Sequence, residues 1–123
     1  MVATAEITGG CQGSPQHSSN LNNTYDVPWT VFLHDGSVCV RFQNPGGTNA
    51  SVTTWVEDSA GNGALSDTGF RVPVPPGGEV SVLFYDFGMQ ADQTTPISEC
   101  ILHTVVHNDD SENTGVELYH EVY

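Results

Sequence analysis

The sequence predicts an all-β chain: an antiparallel two-layer sandwich of seven or eight strands behind an extended N-terminal arm. Three observations lead there. From Val27 onward, short segments rich in Val, Phe, Thr and Trp recur, each bounded by Gly, Pro, Asn or Asp, which is the pattern of a sandwich or barrel. Apart from short ambiguous runs, no segment of ten or more residues sets its apolar positions at helical spacing. The chain has 123 residues, and the part after the arm is close to the roughly 100 that two sheets need to close face to face.

Residues 1–26 are rich in Gly, Ser, Gln, Asn and Thr without a sustained apolar period. They read as a polar arm with one strand around Ala3 to Thr8, and residues 27–123 read as the sandwich domain. Trp29 to His34 runs into Asp35-Gly36, and Ser37 to Gln43 follows with Val38, Val40 and Phe42 on one face. Asp-Gly between two such runs predicts a tight hairpin. After Asn44-Pro45-Gly46-Gly47, the stretch Ala50 to Glu57 sets Val52 and Val56 opposite Ser51, Thr53 and Trp55. A polar loop from Asp58 leads to a weaker stretch ending in Gly69 to Val74. Pro75-Pro76-Gly77-Gly78 is a turn, and Glu79 to Tyr85 alternates through Val80, Val82 and Phe84. Ile97 to His107 and Gly115 to Val122 finish the domain.

Three of these segments also carry a resemblance. Val40-Arg41-Phe42-Gln43-Asn44-Pro45-Gly46-Gly47, then Ala50-Ser51-Val52-Thr53-Thr54-Trp55-Val56, then Val72-Pro73-Val74-Pro75-Pro76-Gly77-Gly78-Glu79-Val80-Ser81-Val82 resemble the CARDB-type immunoglobulin-like modules of archaeal and bacterial surface proteins. The resemblance covers about a third of the chain and consists of turn chemistry. It implies an immunoglobulin-like order of strands and, by analogy, an adhesive or structural role.

The charge balance narrows the setting. Lys and Arg together number two, Arg41 and Arg71, against 15 Asp and Glu, for a formal charge of -13. A surface without lysine suits a solvent that screens carboxylate repulsion, and at molar salt the Debye length shrinks to about 3 Å. A halophilic source is the expectation. Two arginines do not supply the cations that nucleic-acid binding requires, so no nucleic-acid partner is expected. No run of 18 apolar residues is present, so no membrane insertion by a helix is expected. The start, Met1 to Glu6, has neither the basic nor the apolar region of a secretory signal.

Few residues suggest chemistry. Cys39, Trp55 and Cys100 follow the order of the immunoglobulin Cys, Trp, Cys pattern, but Cys39 and Trp55 each share a face with polar neighbours. With Cys11 the cysteine count is odd, so at least one thiol stays free or pairs between chains. A Cys39 to Cys100 bridge, a bridge through Cys11 and three reduced thiols all stay open, and three thiols is the plainest reading. His103 and His107 share a strand face but stand roughly 13 Å apart, too far to ligate one ion, so the five histidines read as surface or hydrogen-bonded. Asp58 to Gly63 lacks the carboxylate spacing of a calcium loop. Asp109, Asp110 and Glu112 in the loop Asn108 to Glu112 are the weak candidates for a calcium or magnesium site; no cofactor is expected. The sequons at Asn22 and Asn49 bear on the reading only for an exported chain.

No Gly-x-Ser-x-Gly elbow, Walker loop or dinucleotide fingerprint occurs, and no catalytic residue is assigned. The expected function is that of a non-catalytic structural subunit on the surface of a halophilic archaeal virus particle: capsid decoration, turret, spike or tail component. Its partners would be other virion proteins or copies of itself, with the arm reaching onto a neighbour. The alternative is a cell-surface or pilus-type adhesion module binding carbohydrate or protein.

Overall fold

The computed structural model describes residues 3–22, 25–60, 69–90, 92–111 and 114–123. Nine strands are found in them and no helix: β1 (Thr4–Thr8), β2 (His17–Leu21), β3 (Trp29–Phe32), β4 (Val38–Gln43), β5 (Ala50–Asp58), β6 (Phe70–Val74), β7 (Glu79–Tyr85), β8 (Glu99–Asn108) and β9 (Leu118–Val122). The expected all-β sandwich is present. Its sheets run β1-β7-β4-β9-β2 and β3-β8-β5-β6, every pairing antiparallel.

Period-2 alternation decides which side chains meet between the sheets. Val38, Val40 and Phe42 of β4 and Val82 and Phe84 of β7 face Val52 and Val56 of β5, Val72 and Val74 of β6 and Leu102 and Val106 of β8, all buried in one core. Truncating a fully buried Phe such as Phe84 to Ala would cost about 3–5 kcal/mol in transfer and cavity terms.

Connectivity is where the structure departs from the sequence reading. Strand β2 pairs with β9, β3 with β8, β4 with β7 and β5 with β6. The chain is thus one long antiparallel hairpin folded over on itself, and the β4–β9 and β5–β8 pairings gather it into two sheets. This nesting is the connectivity of a jelly roll. In an immunoglobulin sandwich the last two strands are neighbours in one sheet, whereas here β8 and β9 lie in opposite sheets. The jelly-roll order therefore replaces the immunoglobulin-like one.

The Asp35-Gly36 turn behaves in the same way. His34 and Ser37 exchange backbone hydrogen bonds of 2.7 and 3.1 Å around it, with Asp35 and Gly36 at φ 51° and 79°, as a tight hairpin turn requires. Beyond this single bridge the strands part into different sheets, because Val31 and Val38 must each reach the core from their own side. Asn44 holds the next crossing. Buried at 1% exposure, its amide donates to the carbonyls of Thr48 and Val74 and accepts from the N–H of Gly46.

The arm is also corrected. Seven of the described strands lie within 27–123, and residues 4–8 and 17–21 add two more at the opposite edges of the five-stranded sheet of the same molecule. Between them the chain crosses that sheet's outer surface, where a disulfide joins Cys11 to Cys39 of β4, the middle strand. The arm packs on its own domain because its backbone completes ladders that β7 and β9 would otherwise leave open.

Candidate functional site

Alternation on the four-stranded sheet sends Ser51, Thr53, Trp55 and Glu57 of β5, and Ile101, His103, Val105 and His107 of β8, to the solvent side of that sheet. Trp55 and His103 are directly opposite in register, and their rings stack with planes 2° apart and centroids 4.8 Å apart. Both imidazole nitrogens meet carboxylates: Nδ1 lies 2.6 Å from Asp26 Oδ2 and Nε2 lies 3.3 Å from Glu57 Oε1. A ring held at both nitrogens and on one face has a single orientation. The side chain of His103 is 12% exposed, whereas those of Asp26 and Glu57 are 36% and 38% exposed, so both acidic side chains border solvent. Asp26 Oδ1 is buried without a hydrogen-bond partner among the described residues. The arrangement offers aromatic surface beside hydrogen-bond acceptors, chemistry that suits a polyhydroxylated ligand.

Further along the face, Thr53 Oγ1 is 2.7 Å from His107 Nε2. Burial lowers the pKa of His107, and the nearby Arg71 charge pushes the same way. Arg71 of β6 donates to Ser51 Oγ at 3.1 Å and to Asp109 Oδ1 at 2.9 Å, and Ser51 also donates to Asp109. Asp110 accepts from both the backbone and the side chain of Asn49, which hold its carboxyl below the usual range. Asp109 and Asp110 are therefore turned to different partners and latch the β8–β9 loop onto the start of β5. Glu112 lies outside the described residues, as do Gly61 to Gly63 of the other loop. Among the described residues, no group of three or more His, Cys, Asp or Glu is placed to hold a metal ion.

A second histidine cluster lies inside the sandwich. Among the described residues, His120 of β9 is fully buried with both ring nitrogens unpartnered, and His17 Nε2 of β2 is buried and unpartnered as well. The two rings meet edge to face at 5.1 Å, and Trp29 packs on His17 at 3.8 Å. Burial pushes His120 down to about 4, with the neighbouring His17 adding to the shift, and burial lowers His17 too. The expectation of surface or hydrogen-bonded histidines misses His120. Its signal was available, since it stands between Leu118 and Val122 in the inward phase of its strand.

Each arginine ties strands together. Arg41 of β4 bonds Glu79 of β7 and, at 2.6 Å, Glu121 of β9, and these partners raise its pKa. The cysteines overturn the plainest reading of three reduced thiols and bear out a bridge through Cys11: Cys11 and Cys39 are bonded, and Cys100 is a buried free thiol pushed up to about 12 by desolvation.

These features define an acidic jelly-roll domain with an aromatic and carboxylate cluster on one sheet face. Compared with known proteins, the chain matches no family model, no curated protein and no solved structure.

Proposed function

We propose that the chain is a non-catalytic structural subunit on the surface of a halophilic archaeal virus particle, serving as capsid decoration, turret, spike or tail component. The observation that supports this best is the jelly-roll connectivity, an architecture common among capsid and lectin domains. Fold alone does not assign function, but two further features agree with an exterior position in brine. The surface lacks lysine at a net charge of -13, and the Cys11–Cys39 disulfide suits the outside of cells and virions better than a reducing cytosol. The test is fractionation of a culture supernatant from the source on a density gradient in molar salt, probed with an antibody against this chain. Co-sedimentation with nuclease-protected nucleic acid supports the reading, and recovery in the cell-envelope fraction alone defeats it.

The second reading, a surface adhesion module that binds carbohydrate, is favoured by the Trp55–His103 stack between Asp26 and Glu57. A glycan array probed with the wild-type chain and with Trp55→Ala tests it: binding that the substitution removes supports adhesion, and an array blank for both chains defeats it.

A further inference from the structure

We propose that the free edge of β1 pairs with β1 of a second copy of this chain, antiparallel and centred on Ile7. Among the described residues the two sheets end in four edge strands, β3, β6, β1 and β2, and an open edge invites another strand. On β3, the side-chain amide of Gln16 donates to the Phe32 carbonyl and accepts from the Phe32 N–H, each at 2.8 Å. It occupies the backbone groups that a neighbouring strand would use. Strand β6 contains Pro73, with Pro75 just beyond its end, and proline has no N–H to offer a ladder. Strand β2 exposes Ser18 and Asn20 while Leu21 is already buried, so an added strand would cover little apolar surface.

Strand β1 differs. Ile7 pairs with the fully buried Val82 and shares its inward phase, yet it is 56% exposed because it overhangs the rim of the core. A strand laid along β1 would cover it. The register follows from charge and size. Centring on Ile7 sets the two isoleucines opposite one another and each Glu6 opposite a Thr8, the pairs that fall within Thr4–Thr8 before the chain bends at Gly9. Centring on Glu6 would set two carboxylates face to face, which is destabilising. In the favoured register Glu6 keeps its hydrogen bond from the Tyr85 hydroxyl, 3.1 Å away on its own sheet. The two five-stranded sheets then join edge to edge about a two-fold axis, which gives a closed pair rather than an open fibre. Repulsion between two chains of charge -13 restricts the pairing to salt that screens it.

This contact goes beyond the proposed role and does not depend on where the chain works. The test is light scattering of the full chain after size-exclusion chromatography in molar NaCl, beside Ile7→Lys, Ile7→Cys and Thr8→Cys variants. The wild type is expected at the mass of a dimer. Ile7→Lys should halve that mass while keeping the far-UV signature of a folded β-protein in the same salt, and its melting midpoint should lose the concentration dependence that a dimer shows. Directly opposed residues about 4.5–5.5 Å apart at Cα fit a disulfide, so Ile7→Cys should cross-link two chains on mild oxidation and Thr8→Cys should not. A monomeric wild type, a dimer unaffected by Ile7→Lys, or equal cross-linking by the two cysteine variants would overturn the proposal.

Discussion

Acidification should destabilise this protein well before its carboxylates titrate, through His120. The folded chain holds this imidazole fully buried at a pKa of about 4, while the unfolded chain exposes it at its ordinary value near 6.5. Between those two values the unfolded state binds the extra proton. Stability is therefore fully present above pH 6.5 and falls as pH drops toward 4, at up to about 1.4 kcal/mol per pH unit. The total at pH 4 is roughly 3 kcal/mol, large against the 5–15 kcal/mol that holds an average domain together. With a urea slope near 1.5 kcal/mol per molar, the unfolding midpoint should fall by about 2 M. His17, lowered in the same direction by burial, adds to the loss. Asp92 belongs to a separate window, because bonds from Thr94 and Thr95 hold it at about 2, so its contribution is lost only below the ordinary carboxylate range. The assay is urea unfolding at fixed molar salt from pH 7 to pH 4, wild type beside His120→Leu. The variant removes two unpartnered buried nitrogens, so it should match or exceed the wild type at pH 7 and show a much flatter acid limb. An equal drop in both chains between pH 6.5 and pH 4, or no drop in the wild type, would refute the reasoning.

Three further outcomes are expected. Thermal melts at constant pH should show a midpoint rising steeply toward molar NaCl, as the absence of lysine and the charge of -13 require; a flat series would remove the halophilic reading. Cys11→Ser opens a loop closed over a separation of 28 residues, and chain entropy sets the loss at about 3.5 kcal/mol, to be read as a lower denaturant midpoint for the variant than for the oxidised wild type. Alkylation without reduction should label one thiol per chain, at Cys100, and only after denaturation, since that thiol is buried; labelling of the native chain would contradict its placement.

Much of the fold was legible residue by residue, and its connectivity was not. Alternation placed Val38, Val40 and Phe42, or Val80, Val82 and Phe84, on inward faces because a side-chain period of two is local information. Partner choice is non-local, so nothing near Asp35-Gly36 could reveal that its two arms enter different sheets. Strand β2 was missed for another reason: His-Ser-Ser-Asn-Leu has no apolar alternation and is ordered by backbone pairing with β9. In the candidate site, the outward phase of Trp55 and His103 could be read from each strand alone. Their stacking needed the β5–β8 register, and Asp26 comes from a segment with no periodic signal at all.

The disulfide at the middle of the five-stranded sheet also fixes how the molecule would bear a pull on its N-terminus. Strand β1 would peel from β7 as far as Cys11, and there the tension would leave the main chain and pass through sulfur into β4. Residues 12–38, with β2 and β3 among them, would carry no load. Strand β4 is gripped on both sides, by β7 and by β9, so two ladders resist together. A tether at that end would lengthen by one short peel and then hold.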